Sequence, residues 1–185
     1  MVRGAILLTI TLLCTSCAAS LFKVKPVTEL PPLPAATRST EAGAVTLRVA
    51  PLLSDEESQE LFEANLQISG VLPVRVELES RSPVELKKAR FRLRDSQGRE
   101  WKLLKTKDAV SVITKANGVF VYNPNSRKQF EKEFGDYALD IKTVLVERRS
   151  GFLFFRTPDK RPVTTSQQLT LSIERLPQTA TLIIN

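Results

Sequence analysis

Apolar and charged residues alternate without a break in the stretch Val74-Arg75-Val76-Glu77-Leu78-Glu79. Successive side chains of a β-strand point to opposite faces of a sheet, so a period of two indicates a strand with one apolar face and one polar face. We therefore expect a half-buried strand here, with Val74, Val76 and Leu78 in the core.

The same alternation, or a short apolar run bounded by turn residues, recurs along the chain. These segments are the other expected strands, at residues 45–50, 89–94, 100–104, 151–155, 169–174 and 181–184. The turn at 95–98 contains Gly98, which can take a positive φ. Residues 84–104 are therefore predicted to form a β-hairpin.

Three segments interrupt the strands. Ser54 and Glu57 have the spacing of a capping box, which predicts a helix over 55–65. Residues 107–115 suit either a helix or a strand. A helix is also predicted over 126–141, because apolar side chains recur there at the helical period. Its buried face would consist of Phe130, Phe134, Tyr137 and Ile141.

Phe154 and Phe155 are adjacent in a predicted strand, so their rings must face opposite sides of the sheet. One ring belongs to the core. The other either packs under a helix or marks a partner surface, and we expect packing under a helix.

About seven short strands, with no regular alternation of strand and helix, favour a mainly β fold. We expect an immunoglobulin-like antiparallel β-sandwich with two or three inserted helices over residues 44–185. Motifs within 71–80, 93–98 and 151–158 also resemble those of uncharacterised bacterial lipoproteins with an immunoglobulin-like domain, although Ser80 stands where asparagine is usual. The resemblance implies a fold and transfers no catalytic residue.

The N-terminus has the pattern of an export signal. Met1-Val2-Arg3 is a short basic start, and residues 4–13 carry no charge. A membrane-spanning helix needs about 20 apolar residues, so this run has the length of a signal-peptide core. Thr15, Ser16 and Cys17 follow, and they resemble the lipobox of bacterial lipoproteins, with Cys14 in place of the usual leucine.

The lipobox resemblance implies that residues 1–16 are a signal peptide and that Cys17 becomes acylated. Acyl chains would then hold the protein on a membrane, since each buried CH₂ contributes about 0.8 kcal/mol. Ala18 follows the cysteine where aspartate would favour inner-membrane retention, which by resemblance favours the outer membrane facing the periplasm in a Gram-negative cell. The alternative is an ordinary secretory signal cleaved nearby.

Residues 17–43 are expected to comprise the lipidated cysteine and a flexible proline-rich tether. Prolines are frequent up to Pro34, and residues 35–43 have no apolar period. Proline-rich chains favour extended conformations of about 3.1 Å per residue, so the tether would hold the domain several nanometres from the lipid. The alternative is a strand or helix that lies on the domain.

The composition excludes several classes of chemistry. The chain of 185 residues contains no histidine, and its two cysteines, Cys14 and Cys17, lie at the N-terminus. It therefore offers no Ser-His-Asp or Cys-His triad and no histidine-ligated metal site. Phosphate-binding glycine motifs and calcium-loop motifs are also missing from the sequence. We expect no cofactor, no bound metal and no enzymatic activity.

Basic residues outnumber acidic ones, 27 to 20, for a formal net charge of +7. The most distinctive basic feature is a row of arginines spaced by two, which would share one strand face about 7 Å apart. Guanidinium groups bind phosphate and carboxylate oxygens through paired donors, so this row is a candidate contact for an anionic surface. The row consists of Arg90, Arg92 and Arg94. The alternative is pairing across the sheet with Glu77, Glu79 or Glu100.

The expected function is that of a membrane-anchored, non-enzymatic lipoprotein that acts as a binding or structural module in the cell envelope. Its partners would be the lipid bilayer, through acylated Cys17, and an envelope protein or an anionic envelope polymer. Nucleic acid is not expected, because an exported protein rarely meets it and aromatic residues make up only 6% of the chain. The alternative is an accessory subunit of a secretion or transport assembly, which would dock through an exposed edge strand and helix 126–141.

Overall fold

A computed structural model describes residues 22–34, 37–119, 123–164, 168–176 and 178–184. Within these residues the chain forms a mainly antiparallel β-structure with three α-helices, as the alternation predicted. The strands are β1 (Ser39–Ala42), β2 (Val45–Pro51), β3 (Val71–Glu85), β4 (Arg90–Asp95), β5 (Glu100–Leu103), β6 (Val144–Arg156), β7 (Leu169–Glu174) and β8 (Ala180–Ile183). The helices are α1 (Asp55–Phe62), α2 (Thr106–Ala116) and α3 (Pro124–Asp136).

The eight strands follow the order β1-β2-β3-β6-β5-β4-β7-β8, and each pairs antiparallel with its neighbours. The short strand β5 joins two halves, because Trp101 pairs with β4 while Lys102 and Leu103 pair with β6. The two outermost strands approach each other, since the Arg38 guanidinium donates a hydrogen bond to the Ile183 carbonyl at 3.0 Å. The halves therefore face each other.

An apolar core fills the space between the halves. Val74, Val76 and Leu78 are fully buried in it, which confirms the strand predicted from their alternation. The prediction that this strand is half-buried is wrong, because Arg75 and Glu77 on its other face are buried as well. Burial of such side chains stabilises a fold by roughly 25 cal/mol per Å² of apolar surface. The opposite half contributes Phe91, Leu93, Leu169, Leu171 and Ile173.

A second apolar cluster, the helical core, lies on the other face of β3 and β6 and is covered by the three helices. Phe154 stacks on Phe134 of α3 with ring centroids 4.3 Å apart, whereas Phe155 points into the core between the halves. The prediction that one of these adjacent rings packs under a helix is confirmed. The other aromatic members are Phe62, Phe130, Tyr137 and Phe152.

Helix α1 begins as predicted, because the Ser54 hydroxyl accepts a hydrogen bond from the Glu57 amide at 3.1 Å. It ends at Phe62, earlier than the predicted Asn65, where Glu63 adopts a left-handed φ of 51°. The ambiguous segment 107–115 is helical and belongs to α2.

Helix α3 spans Pro124–Asp136, so the predicted helix over 126–141 is too long at its C-terminal end. The chain leaves the helix because its backbone pairs with β6 instead. The Phe152 amide donates to the Tyr137 carbonyl at 2.7 Å, and the Leu139 amide donates to the Phe152 carbonyl at 2.9 Å.

The predicted hairpin over 84–104 is confirmed between β4 and β5, where Gly98 has a φ of 76° in the turn. Residues 84 and 85 lie outside it. They belong to β3, which is irregular after Ser80 and then pairs again with β6 through Val84 and Glu85. Burial of Leu86 then redirects the chain toward β4.

Residues 22–34, called here the N-terminal segment, lie on the domain, and Ser39–Ala42 form β1. The Lys25 amide donates to the Leu61 carbonyl at 2.9 Å, and the Tyr137 hydroxyl donates to the Lys25 carbonyl at 2.7 Å. The structure thus differs from the expected flexible tether over the described part of 17–43. The reason is that Phe22, Val24 and Leu30 pack against the helical core. The expected signal peptide and Cys17 lie outside the described residues.

Candidate anion-binding trench

The arginine row of β4 faces outward, as its alternation with buried Phe91 and Leu93 requires. Arg92 is held by two acids, because its side chain lies 2.9 Å from Glu100 Oε2 and 3.1 Å from Glu174 Oε2. Arg94 lies 3.9 Å from the same Glu100 oxygen. Two of the three arginines therefore have a carboxylate partner on a neighbouring strand.

Arg90 differs from the other two, because it forms no ion pair with any described residue. Its register partner on β7 is Glu174, whose carboxylate is occupied by Arg92. Glu77 is also unavailable, since β3 is not adjacent to β4 and the Glu77 carboxylate binds Arg48 and Arg148. The structure thus separates Arg90 from the rest of the row.

Arg90 lines an open groove of about 800 Å³ where the end of β3, the start of β4 and the start of β6 meet. The loop before β6 and the residue after β7 complete its walls. The lining residues are Glu85, Lys87, Lys88, Ala89, Arg90, Lys142, Thr143, Val144 and Arg175.

Lys87 and Lys88 reach this groove from a short 3-10 turn at Leu86–Lys88. Leu86 is fully buried and Ala89 is nearly so, and the Ala89 amide donates to the Leu86 carbonyl at 2.9 Å. The two apolar residues therefore hold the turn in place while the lysines between them face solvent. Lys88 pairs with Glu85 at 2.9 Å, and both side chains are well exposed.

Lys142 is positioned by a hydrogen-bonded turn. The Asp140 carboxylate accepts from the Thr143 hydroxyl at 2.6 Å and from the Lys142 amide at 2.9 Å, and these bonds lower the pKa of Asp140. The Arg149 guanidinium donates to the carbonyls of Asp140 and Val144, at 2.8 and 2.7 Å. The turn is therefore tied to β6 from both sides.

The groove continues into two neighbouring hollows through shared lining residues. Ala89 and Arg90 also line a hollow of about 270 Å³, and Lys87 and Lys142 also line one of about 840 Å³. The larger hollow lies at the start of α2 and has an apolar floor. Its floor includes Leu103, Leu104, Leu139 and Ile141, and its rim includes Lys105 and Lys107. We call the three spaces together the basic trench.

Eight lysine or arginine side chains and three acids line the basic trench, so its lining carries a formal net charge of +5. Positive charges clustered on one surface raise the local concentration of anions. The start of α2 adds positive potential, because the first amides of a helix have no partner within it. Six of the eight form no ion pair with any described residue: Lys87, Arg90, Lys105, Lys107, Lys142 and Arg175.

Sequence reasoning identified only part of this surface. Lys87 and Lys88 stand beside the arginine row in the sequence and were open to the same interpretation. Lys142 and Arg175 gave no signal, because they are isolated in the sequence and reach the groove from distant segments.

Three further observations concern the class of protein. Among the described residues, no group of three or more Cys, Asp or Glu side chains is placed to hold a metal ion. None of the helices in the same part of the chain has the length and apolar character needed to cross a membrane. Comparisons with protein-family models, curated proteins and solved structures found no match to this chain.

Proposed function

We propose that this protein is a lipid-anchored, non-enzymatic module of the cell envelope that binds an anionic envelope polymer or lipid headgroup in the basic trench. The observation that supports this is the convergence, on one surface, of six lysine and arginine side chains that form no ion pair with a described residue. The lining has eight basic side chains against three acids, a larger excess of one sign than an evenly mixed solvated face carries.

The proposed anchor is Cys17, on the lipobox resemblance of Thr15, Ser16 and Cys17. The location that follows is the cell envelope, and in a Gram-negative cell the outer membrane facing the periplasm. The packed N-terminal segment changes the expected distance from the lipid. Phe22 lies against Phe130 with ring centroids 4.9 Å apart, and the five residues from Cys17 to Phe22 span at most about 18 Å. The anchored domain would therefore lie close to the bilayer.

We also propose that the domain is of immunoglobulin-like type. Antiparallel pairing throughout, and two facing halves that share one apolar core, support this assignment. The two halves are joined through β5, which makes the domain more closed on that side than two separate sheets.

The anchor is tested by mass spectrometry of the native protein isolated from membranes. An N-terminal fragment that begins at acylated Cys17 is expected. A free thiol at this position, or retention of residues 1–16, would refute the anchor.

Binding in the trench is tested with lipid-free protein carrying Cys17→Ala. The probes are vesicles of phosphatidylglycerol mixed with phosphatidylcholine, and dextran sulfate, with pure phosphatidylcholine and neutral dextran as controls. The double variant Lys87→Glu, Arg90→Glu is expected to bind the anionic probes about 30-fold more weakly, since each basic residue near an anionic surface contributes about 1 kcal/mol.

The matched control for this experiment is Arg94→Glu, which removes one arginine of the same strand outside the trench lining. It is expected to leave most of the affinity intact. The control changes the net charge by half as much as the double variant, so a loss of about 5-fold in the control would show that net charge, and not the trench, carries the binding.

A second candidate is an accessory subunit of a secretion or transport assembly. It is favoured by Val144 and Val146, which are 45% and 60% exposed on β6. This candidate predicts that a protein partner binds at high salt. The binding should be lost in Val146→Asp and kept in the Lys87→Glu, Arg90→Glu variant, and this result would support the second candidate over the first.

A further inference from the structure

Arg75, in the middle of β3, is a buried cation with no partner among the described residues. Its side chain and backbone together are 9% exposed, and its guanidinium makes no hydrogen bond and no ion pair with any of them. The Nε–H group is enclosed completely. Buried polar groups in proteins are hydrogen-bonded in the great majority of cases, so an exception calls for a physical explanation.

The acid nearest along the strand does not explain it. Glu77 is buried two residues away, and its two carboxylate oxygens already accept from Arg48 at 3.0 Å and from Arg148 at 2.6 Å. Three arginines and two glutamates therefore share this face of the sheet, and the second glutamate, Glu79, is exposed and is the register partner of Arg148. Burial lowers the pKa of Arg75, and the Glu77 carboxylate opposes this only in part. A guanidinium nevertheless keeps its proton in a protein, so the positive charge stays.

Arg75 lines a cavity of about 210 Å³ between the sheet and the N-terminal segment. Val27 and Leu30 form its outer wall, and Tyr137 and Phe152 form its inner wall. Asp136 also lines it but is exposed, and it does not come within 4 Å of the guanidinium. The space holds several water-sized volumes of about 30 Å³, which is enough for an anion of a few heavy atoms.

We propose that this cavity is a binding site for a small oxyanion, a carboxylate or phosphate group, held by the Arg75 guanidinium and covered by the N-terminal segment. An oxyanion supplies acceptors for the planar N–H donors of Arg75, which no described residue supplies. Its binding would also hold the N-terminal segment against the domain. Phe152 lines both this cavity and the basic trench, but Arg75 lines only the cavity, and the proposal does not depend on the function proposed for the trench.

The experiment is a titration of lipid-free full-length protein (Cys17→Ala) with acetate and, separately, with inorganic phosphate. The reporter is the NMR resonance of the Arg75 Nε–H group, assigned by its loss in Arg75→Lys. A saturable shift with either anion is expected. A response to acetate alone identifies a carboxylate site, and a response to both identifies a general oxyanion site.

Three variants test the site, and calorimetry measures the affinity of each for the anion. Arg75→Lys keeps the charge but loses the paired donors, and is expected to bind at least about tenfold more weakly. Leu30→Trp keeps Arg75 and fills the cavity, and should block binding. The control Arg94→Lys, on the other half of the structure, should bind like wild type.

Absence of any saturable shift in the wild-type protein would overturn the proposal. Unchanged affinity in both Arg75→Lys and Leu30→Trp would also overturn it. Loss of the signal in Lys87→Glu, Arg90→Glu would assign it to the trench instead, and so would overturn this site while leaving the proposed function intact.

Discussion

Strands β3 and β4 each carry a row of charged side chains, and the two rows have opposite surroundings. On β3, Arg75 and Glu77 are buried under the N-terminal segment and beside the helices. On β4, Arg90 and Arg94 face solvent. β3 lies between β2 and β6 in the strand order, and its polar face is covered by other parts of the chain, whereas the outer face of β4 is not covered.

This difference changes what each charge does. Exposed ion pairs such as Arg92–Glu100 contribute about 0–1 kcal/mol, since water screens them and the side chains lose entropy. Buried pairs such as Arg48–Glu77 have lost their hydration, so the loss of one partner leaves an uncompensated charge. The β3 row is therefore coupled to stability, and the β4 row leaves its cations available for a ligand.

The largest expected effect comes from Glu77→Gln. Its side chain is 4% exposed and serves both Arg48 and Arg148, so the substitution should lower the free energy of unfolding by about 3 kcal/mol. The matched control is Glu100→Gln on the β4 side, which should cost about 0.5 kcal/mol. Urea denaturation of the lipid-free protein measures both. Similar losses of unfolding free energy in the two variants would show that the charges on β3 and β4 contribute equally to stability.

The second largest effect is expected from acid, which should destabilise the fold by protonating Glu77 on β3. Burial would raise the pKa of Glu77, but hydrogen bonds from Arg148 and Arg48 outweigh it and lower the pKa overall. Because the pKa of Glu77 is lower in the folded than in the unfolded protein, its ionisation stabilises the fold. This stabilisation is complete above the pKa of the unfolded state, about 4.3, and is lost as the pH falls through the pKa of the folded state. The unfolding free energy should therefore decline below about pH 4.

The comparison variant for this pH series is again Glu77→Gln, which should show a shallower decline than wild type. A smaller part of the decline should persist in it, because hydrogen bonds to Asp95, mainly from the amide and side chain of Arg99, also lower the pKa of that carboxyl despite its burial. Identical dependence of the unfolding free energy on pH in wild type and Glu77→Gln would contradict the assignment of the acid effect to Glu77.

The smallest expected effect concerns the cover of the β3 row. Phe22→Ala removes a partly buried ring from Phe130, and should cost about 1–2 kcal/mol, less than full burial would imply. Hydrogen exchange should quicken at the Lys25 amide, which donates to Leu61, and stay unchanged in β4. The control Val27→Ala, at a side chain 41% exposed in the same segment, should change little. Unaltered exchange at Lys25 would show that the segment is held by other contacts.

Several elements were predictable because their causes are local. Alternation placed the core side chains of β2, β3, β4 and β7, the Ser54 cap set the start of α1, and Gly98 allowed the turn between β4 and β5. The irregularity of β3 after Ser80 and the early end of α3 were not predictable in this way. Both accompany pairing with β6, which no local pattern in the sequence specifies.

The two candidate sites were also predictable only in part, because each depends on contacts between distant segments. Arg90 stood out in the sequence as a member of the arginine row. That it lacks an ion pair while Arg92 has two was decided by the positions of Glu100 and Glu174 in the fold. Arg75 resembled an ordinary solvent-facing residue of a half-buried strand, because nothing near it in the sequence shows that the N-terminal segment covers it.

The sequence by itself determined which way the side chains of the regular strands β2, β4 and β7 point, since that depends only on the pleat of the backbone. It also supplied the export and lipobox pattern that ends at Cys17. Only the tertiary structure decided which faces are covered, which charges find partners and which remain free. The physical reason is that burial and ion pairing depend on atoms brought together from segments far apart in the chain.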